Sequence, residues 1–223
     1  MCGRFTLTVS ESELNAFIEN HFKNIKATSF RRKPRYNIAP GQTVLAIVFD
    51  GKAYRIGEIP WGIPLKHNTA LNINARQETL ESKSLFSHTL KRQRCIILAD
   101  GFYEWKTEKG KKYPLYFRLK EHNIFGFAGL YKTIKSDSNH TAFASTIITT
   151  TSNALIAPFH NRMPVILTTE KMKTYLDFKH TSSEEMFKLL TPIDAKRMFF
   201  YPVSDQVNRV TFESESAIQP MRD

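Results

Sequence analysis

The sequence predicts an α+β fold: a single domain over residues 1–223, built on a curved, barrel-like, mainly antiparallel β-sheet with a few flanking helices. Three observations lead there. Strand-like runs outnumber helical ones. Consecutive runs are separated by too little helix for repeated βαβ units. No Gly/Ser/Pro linker, internal repeat or low-complexity tract divides the chain. A chain of 223 residues can bury a core without disulfide or metal staples, and 17 Phe, 8 Tyr and 2 Trp are there to fill it.

The elements follow in order. A first helix starts at Ser10, where Ser10 and Glu13 fit a capping box in which each side chain satisfies a backbone donor left over at the helix end. Leu14, Phe17, Ile18 and Phe22 then recur at helical spacing. Residues 23–35 carry Lys23, Lys26, Arg31, Arg32, Lys33 and Arg35 and no acid, and with Pro34, Pro40 and Gly41 they read as loop. Runs rich in β-branched and aromatic residues come next, at 43–49, 54–61, 94–99, 113–119, 124–131, 142–150, 164–167 and 198–203. Two short helices are expected late, near 170–178 and 184–190, the second with Ser182 and Glu185 as a capping box.

Composition excludes several classes. Thirty-two Lys and Arg against 21 Asp and Glu leave a net charge of +11, which suits a polyanionic partner such as nucleic acid or simply a solvated basic surface. Two cysteines, Cys2 and Cys95, make neither a disulfide framework nor a Cys-rich zinc site. The histidines show no HExxH or Cys/His spacing, so no metal and no cofactor is expected. The start MCGRFTLTVSESE has no basic-then-apolar signal pattern, and no apolar run approaches the ~18 residues of a membrane span. A monomer in a reducing, cytoplasmic compartment, with no membrane partner, is the expectation.

Cys2 is the most unusual placement. Removal of Met1 would make it the N-terminal residue, with an amine pKa of about 7.7–8.0, so that about a tenth of the amine is neutral at pH 7. A neutral amine attacks an aldehyde to give an imine, and a thiol two carbons away closes on the imine carbon as a five-membered thiazolidine. The plainer alternative is a small cysteine tucked under the first strand. Arg4 follows Gly3 and could fork onto a phosphate or be an ordinary strand arginine. In LNINARQET, Asn72 and Asn74 alternate with Leu71 and Ile73, and Arg76 and Glu78 continue the same parity; this is a solvated sheet face or the wall of a site. Glu104 lies between Tyr103 and Trp105, where aromatic desolvation would raise its pKa for acid–base work, unless it faces solvent on an edge strand. His160, in APFHNRMP among rigid turn residues, is a proton shuttle or a hydrogen-bonded core histidine. Trp61 could stack on an unpaired base or belong to the core, and Tyr36, Asn37 and Pro40 could shape the same surface. Cys95 belongs to the apolar run CIIL and so to the core.

Taken in order, MCGRF, YNIAPGQ, WG, NARQET, RCIILADGFYEWK and APFHNRMPVIL resemble the SOS-response-associated peptidase (SRAP) family, the abasic-site processing proteins. The likeness covers nearly the whole chain and weakens after about residue 170. It implies a single α+β domain that shields abasic sites in single-stranded DNA by covalent attachment. It assigns Cys2 as the nucleophile of a thiazolidine link to the opened sugar. Asn74 would position that sugar, Glu104 would handle protons during ring opening and closure, and His160 would assist imine formation and reversal. It places Arg4, Arg76 and Arg162 near phosphates, and Pro40 and Trp61 beside flanking bases. A thiol-dependent (auto)peptidase using Cys2 with His160 as base is the alternative, and a minor abasic-site lyase activity is a further expectation.

Overall fold

The computed structural model describes residues 2–27, 33–65, 70–135 and 141–221. The chain opens with β1 (Phe5–Leu7), α1 (Glu11–His21), β2 (Lys26–Ala27), β3 (Arg35–Ile38), β4 (Thr43–Phe49) and β5 (Tyr54–Pro60). Then come β6 (Ile63–Pro64), β7 (Leu71–Asn72), β8 (Asn74–Arg76), α2 (Ser84–Arg92), β9 (Arg94–Ala99), β10 (Gly101–Glu108) and β11 (Lys111–Leu119). The long pair β12 (Phe125–Lys135) and β13 (Thr141–Thr151) leads to β14 (Arg162–Pro164), β15 (Ile166–Leu167), α3 (Thr169–Leu176), α4 (Ser183–Leu189) and β16 (Met198–Pro202). Both expected capping boxes form, Ser10 with Glu13 and Ser182 with Glu185.

The mixed class and the antiparallel pairing are as expected, but no single barrel closes among the described residues. The strands divide into two main sheets, ordered β16-β11-β10-β1-β3 and β14-β13-β12-β9-β4-β5-β2. The division falls at Asp100. The spacing around Asp100-Gly101 suggests two strands joined by a tight turn, and they are not paired with each other: β9 pairs with β12 and β4, whereas β10 pairs with β1 and β11. Asp100 is wholly buried at this crossing and accepts from the Thr6 hydroxyl (2.5 Å) and from the Thr8 N–H (2.6 Å) and hydroxyl (2.5 Å). Gly101 is required there, because a Cβ would lie 2.2 Å from the Tyr116 hydroxyl.

Between the sheets sits an aromatic core. Phe5 meets Trp61 and Phe127 edge-on, with centroids 5.2 and 5.4 Å apart, and Phe102 stacks on Phe117 at 5.3 Å. Aromatic edges and faces carry opposite partial charge, which favours such contacts. Every residue of β9 is buried, as a central strand covered on both faces requires. A smaller cluster of Tyr103, Tyr116, Val203, Val207 and Ala217 packs the C-terminal segment onto the outer side of β10. Alternation along β10 thus sends Phe102 to one cluster and Tyr103 to the other.

Candidate active site

Backbone pairing assembles the site from four distant segments. Phe5 stands opposite Phe102 across β1 and β10, and the Tyr103 N–H donates to the Arg4 carbonyl at 3.0 Å. Continued one step, that register sets Gly3 opposite Glu104, and the Glu104 charge acts on the neighbouring Cys2 thiol. From the other sheet, β8 pairs in parallel with β13, Asn74 opposite Ile147, and the Asn74 Nδ2 donates to the Cys2 carbonyl at 3.0 Å. The Asn74 Oδ1 is buried and has no hydrogen-bond partner among the described residues. After β13 a turn brings in His160, whose N–H donates to the Ile156 carbonyl at 3.0 Å. Asn153 holds that turn by accepting from the N–H groups of Leu155 and Ile156, both at 3.1 Å.

Electrostatics sets the three titratable groups apart. Glu104 is 4% exposed, and burial raises its carboxyl above the ordinary glutamate range, against the pull of the positive amino terminus. His160 is pushed the other way, first by burial and then by the amino-terminal charge, so its imidazole is held neutral. The Arg162 N–H donates to the His160 Nδ1 at 2.9 Å, which leaves the neutral ring's proton on Nε2. Cys2 is wholly buried, and its thiol is raised by burial and then by the Glu104 charge. The Glu104 charge acts on the Cys2 thiol, so these two side chains share one neighbourhood. Burial that pushes a carboxyl up makes it an acid, and a neutral imidazole with its proton on Nε2 is a hydrogen-bond donor.

The arginines and flanking residues differ more from expectation. Arg4 is 8% exposed, and its Nη1 donates to the Asn37 Oδ1 (2.6 Å) and the Val207 carbonyl (2.7 Å), while the guanidinium lies 5.9 Å from the Trp105 ring. It is an internal tie to the C-terminal segment, not a fork open to phosphate. Trp61 is wholly buried, so the expectation of a stacking ring beside a base is corrected. Its ring fills the gap beside Phe5, and its Nε1 donates to the Ile73 carbonyl at 2.9 Å. It still shapes the surface from beneath: the Gly41 N–H donates to the Trp61 carbonyl at 2.7 Å, which pins the turn that carries exposed Pro40. Asn37 is likewise internal, its Nδ2 donating to carbonyls of Val207, Arg209 and Phe212. Arg76 is exposed at the end of β8. Arg162 starts β14 and is bound bidentately by Glu78, at 2.6 and 3.0 Å. Of the basic run, Arg31 and Arg32 lie outside the described residues, as does Met1.

Sequence reasoning placed Glu78 only on a polar face and missed its pairing, because nothing local couples residues 84 positions apart. Asp100 reads locally as a turn residue, and the hydroxyls of Thr6 and Thr8 are the donors that hold it inside instead.

A buried thiol and carboxyl and the Asn74 amide thus come together around the second residue of a two-sheet α+β scaffold, with half-buried His160 on the turn after β13. The chain belongs to the SOS response associated peptidase (SRAP) family, whose model matches residues 1–210. It is 41% identical over 225 residues to the abasic site processing protein YoqW of Bacillus subtilis, covering 98% of this chain and 99% of the relative. It is 25% identical over 224 residues to the abasic site processing protein YedK of Escherichia coli, covering 99% and 100%. A crystal structure of a Bacteroides thetaiotaomicron protein shares the fold with a TM-score of 0.83 at 22% identity, over 99% of this chain and 100% of that one. No helix among the described residues is long and apolar enough to cross a membrane.

Proposed function

We propose that this chain processes abasic sites in single-stranded DNA by forming a covalent thiazolidine link through Cys2 after Met1 has been removed. The observation that carries the reading is the Asn74 bond to the Cys2 carbonyl, which holds the second residue where the Glu104 charge acts on its thiol. The relatives' shared description as abasic site processing proteins supports it.

The chemistry balances without a cofactor. The freed Cys2 amine attacks the aldehyde carbon of the opened sugar, and one nitrogen proton passes to the new carbinol oxygen, to which the His160 Nε2–H donates a hydrogen bond. Glu104, with its raised pKa, gives a proton to the departing hydroxyl and takes one back from the nitrogen, water leaves, and an imine remains. The Cys2 sulfur then adds to the imine carbon while its proton passes to the nitrogen, closing the ring. One water is lost and nothing is oxidised or reduced. Asn74 keeps the nucleophile oriented throughout.

Two activities accompany this reading. Release of Met1 by the protein itself would use the same thiol, carboxyl and imidazole, in keeping with the family's description as peptidases. Strand scission from the imine would be minor, because ring closure by sulfur removes the imine, and it should rise in Cys2→Ser. The protein would act as a monomer, inside the cell, where DNA is.

The test is an intact mass of the purified chain, followed by incubation with an abasic single-stranded oligonucleotide. Wild type should lack Met1 and give a heat-stable adduct one water lighter than the sum of its parts. Cys2→Ala should give none. Equal adduct from both, or none from either, would end the proposal.

A further inference from the structure

Arg162 is not waiting empty-handed for DNA. Its Nη1 and Nη2 donate to the two carboxylate oxygens of Glu78 at 2.6 and 3.0 Å, and Nη2 also donates to the Thr149 carbonyl at 2.6 Å. The Arg162 side chain is 11% exposed and that of Glu78 is 45% exposed, so the carboxylate caps the guanidinium from the solvent side. The hydrogen bond to Arg162 holds the Glu78 carboxyl below the ordinary glutamate range, and exposed Arg76 lowers it further. Glu78 therefore stays ionised at neutral pH. A carboxylate and a phosphate present the same two-oxygen edge to an arginine fork.

Topology explains why the pair forms here. Strand β13 is flanked by β8 and β14, with Thr149 opposite both Arg76 and Pro164, and Thr151 opposite Arg162. The chain leaving Arg76 turns at once into a short 3₁₀ helix, Gln77–Thr79, which swings Glu78 over β13 to Arg162. The Arg162 Nε is buried without a partner among the described residues, so the fork is held but not saturated.

We propose that Glu78 is an exchangeable internal counter-anion: it occupies Arg162 in the free protein and is displaced when a DNA phosphate binds. This rests on the reading of Arg162 as a phosphate contact. Exchange makes each association break an ion pair as it makes one, so intact strands are held loosely. Glu78 is a specificity-determining residue that acts through Arg162 and not on the reacting sugar. The Arg162 N–H, which orients His160, is a backbone group and stays in place during the exchange.

The experiment measures binding of a short labelled single strand without a lesion, at low salt, by fluorescence anisotropy. Glu78→Gln keeps an acceptor for the guanidinium but loses the charge. It should tighten binding about five-fold, the scale of one partly exposed ion pair. Glu81→Gln removes the same charge three residues away and should change binding by less than about two-fold. Glu78→Gln added to Arg162→Gln should also stay within about two-fold of Arg162→Gln alone. Glu78→Ala, checked for a native melting profile, repeats the test without the amide. If Glu78 only holds Arg162 in position, Glu78→Gln and Glu78→Ala will weaken binding while Arg162→Gln weakens it too; that overturns the exchange and leaves the phosphate reading standing. If Arg162→Gln leaves affinity unchanged, the phosphate reading itself fails. Equal tightening by Glu78→Gln and Glu81→Gln would reduce the effect to general charge and also overturn the proposal.

Discussion

Replacing Arg4 by Met removes the guanidinium and keeps an unbranched chain for the same channel. Two bonds are lost, to the Asn37 Oδ1 at 2.6 Å and to the Val207 carbonyl at 2.7 Å, and both acceptors lie in buried surroundings. Hydrogen bonds from a charged donor contribute about 1.5 kcal/mol each at the lower end, or about 3 kcal/mol together. Part of this is offset, because the buried guanidinium is itself costly to desolvate, as its lowered pKa records. A net loss of about 2 kcal/mol remains, which lowers Tm by about 4–8 °C in a domain of this size. The bond reaches from residue 4 to residue 207, so the segment around the turn Asp205–Asn208 should come loose first. Thermal melting with limited proteolysis reads both effects, and binding to an intact single strand should change little. The reasoning fails if Arg4→Met melts within about 1 °C of wild type yet binds DNA much more weakly. Arg4 would then be a phosphate contact and the internal tie would contribute nothing.

Other substitutions separate fold from chemistry. Glu104→Gln should abolish most crosslinking and yet raise stability at pH 8. The sign follows from the raised folded-state pKa: wild-type stability falls as pH climbs from the ordinary glutamate range through the folded value, and glutamine has no such loss. Melting at pH 5 should therefore show a smaller difference between the two proteins than melting at pH 8, and an equal or larger one would contradict the shift. Trp61→Phe loses the bond to Ile73 and leaves a void beside Phe5, which should cost about 2–3 kcal/mol in urea unfolding. Its affinity for intact DNA should hold, and a selective loss of affinity would restore the stacking role that burial denies it.

Much of this was legible in the chain, and the illegible parts share a cause. The capping boxes at Ser10 and Ser182 are written within four residues, so both helix starts could be read. Helix α2 starts at Ser84 behind an N-cap, Lys83, that makes no side-chain bond, and it carries no local signal to read. The strand runs at 43–49 and 94–99 coincide with β4 and β9, since β-branched density marks a buried strand wherever it lies. Which sheet a strand joins is decided by partners far away, and the crossing at Asp100 could not be seen from the turn alone. The site divides the same way. Residue type identified Cys2, Asn74, Glu104 and His160 as chemically apt, and the pairing of β1 with β10 and of β8 with β13 draws the first three together. The fates of Arg4 and Trp61 depended on residues 207 and 73, which nothing in MCGRF or PWG announces.

The excess of eleven positive charges can now be apportioned. Arg4 is tied inside and Arg162 is capped by Glu78, so among the three arginines singled out at the site only Arg76 stands exposed. The site is therefore close to electrically compensated before DNA arrives. Long-range attraction is expected from exposed lysines such as Lys109, Lys111 and Lys112 on the β10–β11 hairpin, and it will be screened by salt without regard to sequence or damage. On the reading proposed above, an intact phosphate gains little at Arg162, because it exchanges for a carboxylate already there. An aldehyde gains a covalent bond at Cys2. A compensated phosphate site beside a reactive terminus makes discrimination a matter of chemistry: the weaker the grip on every strand, the larger the share of retained DNA that carries the lesion.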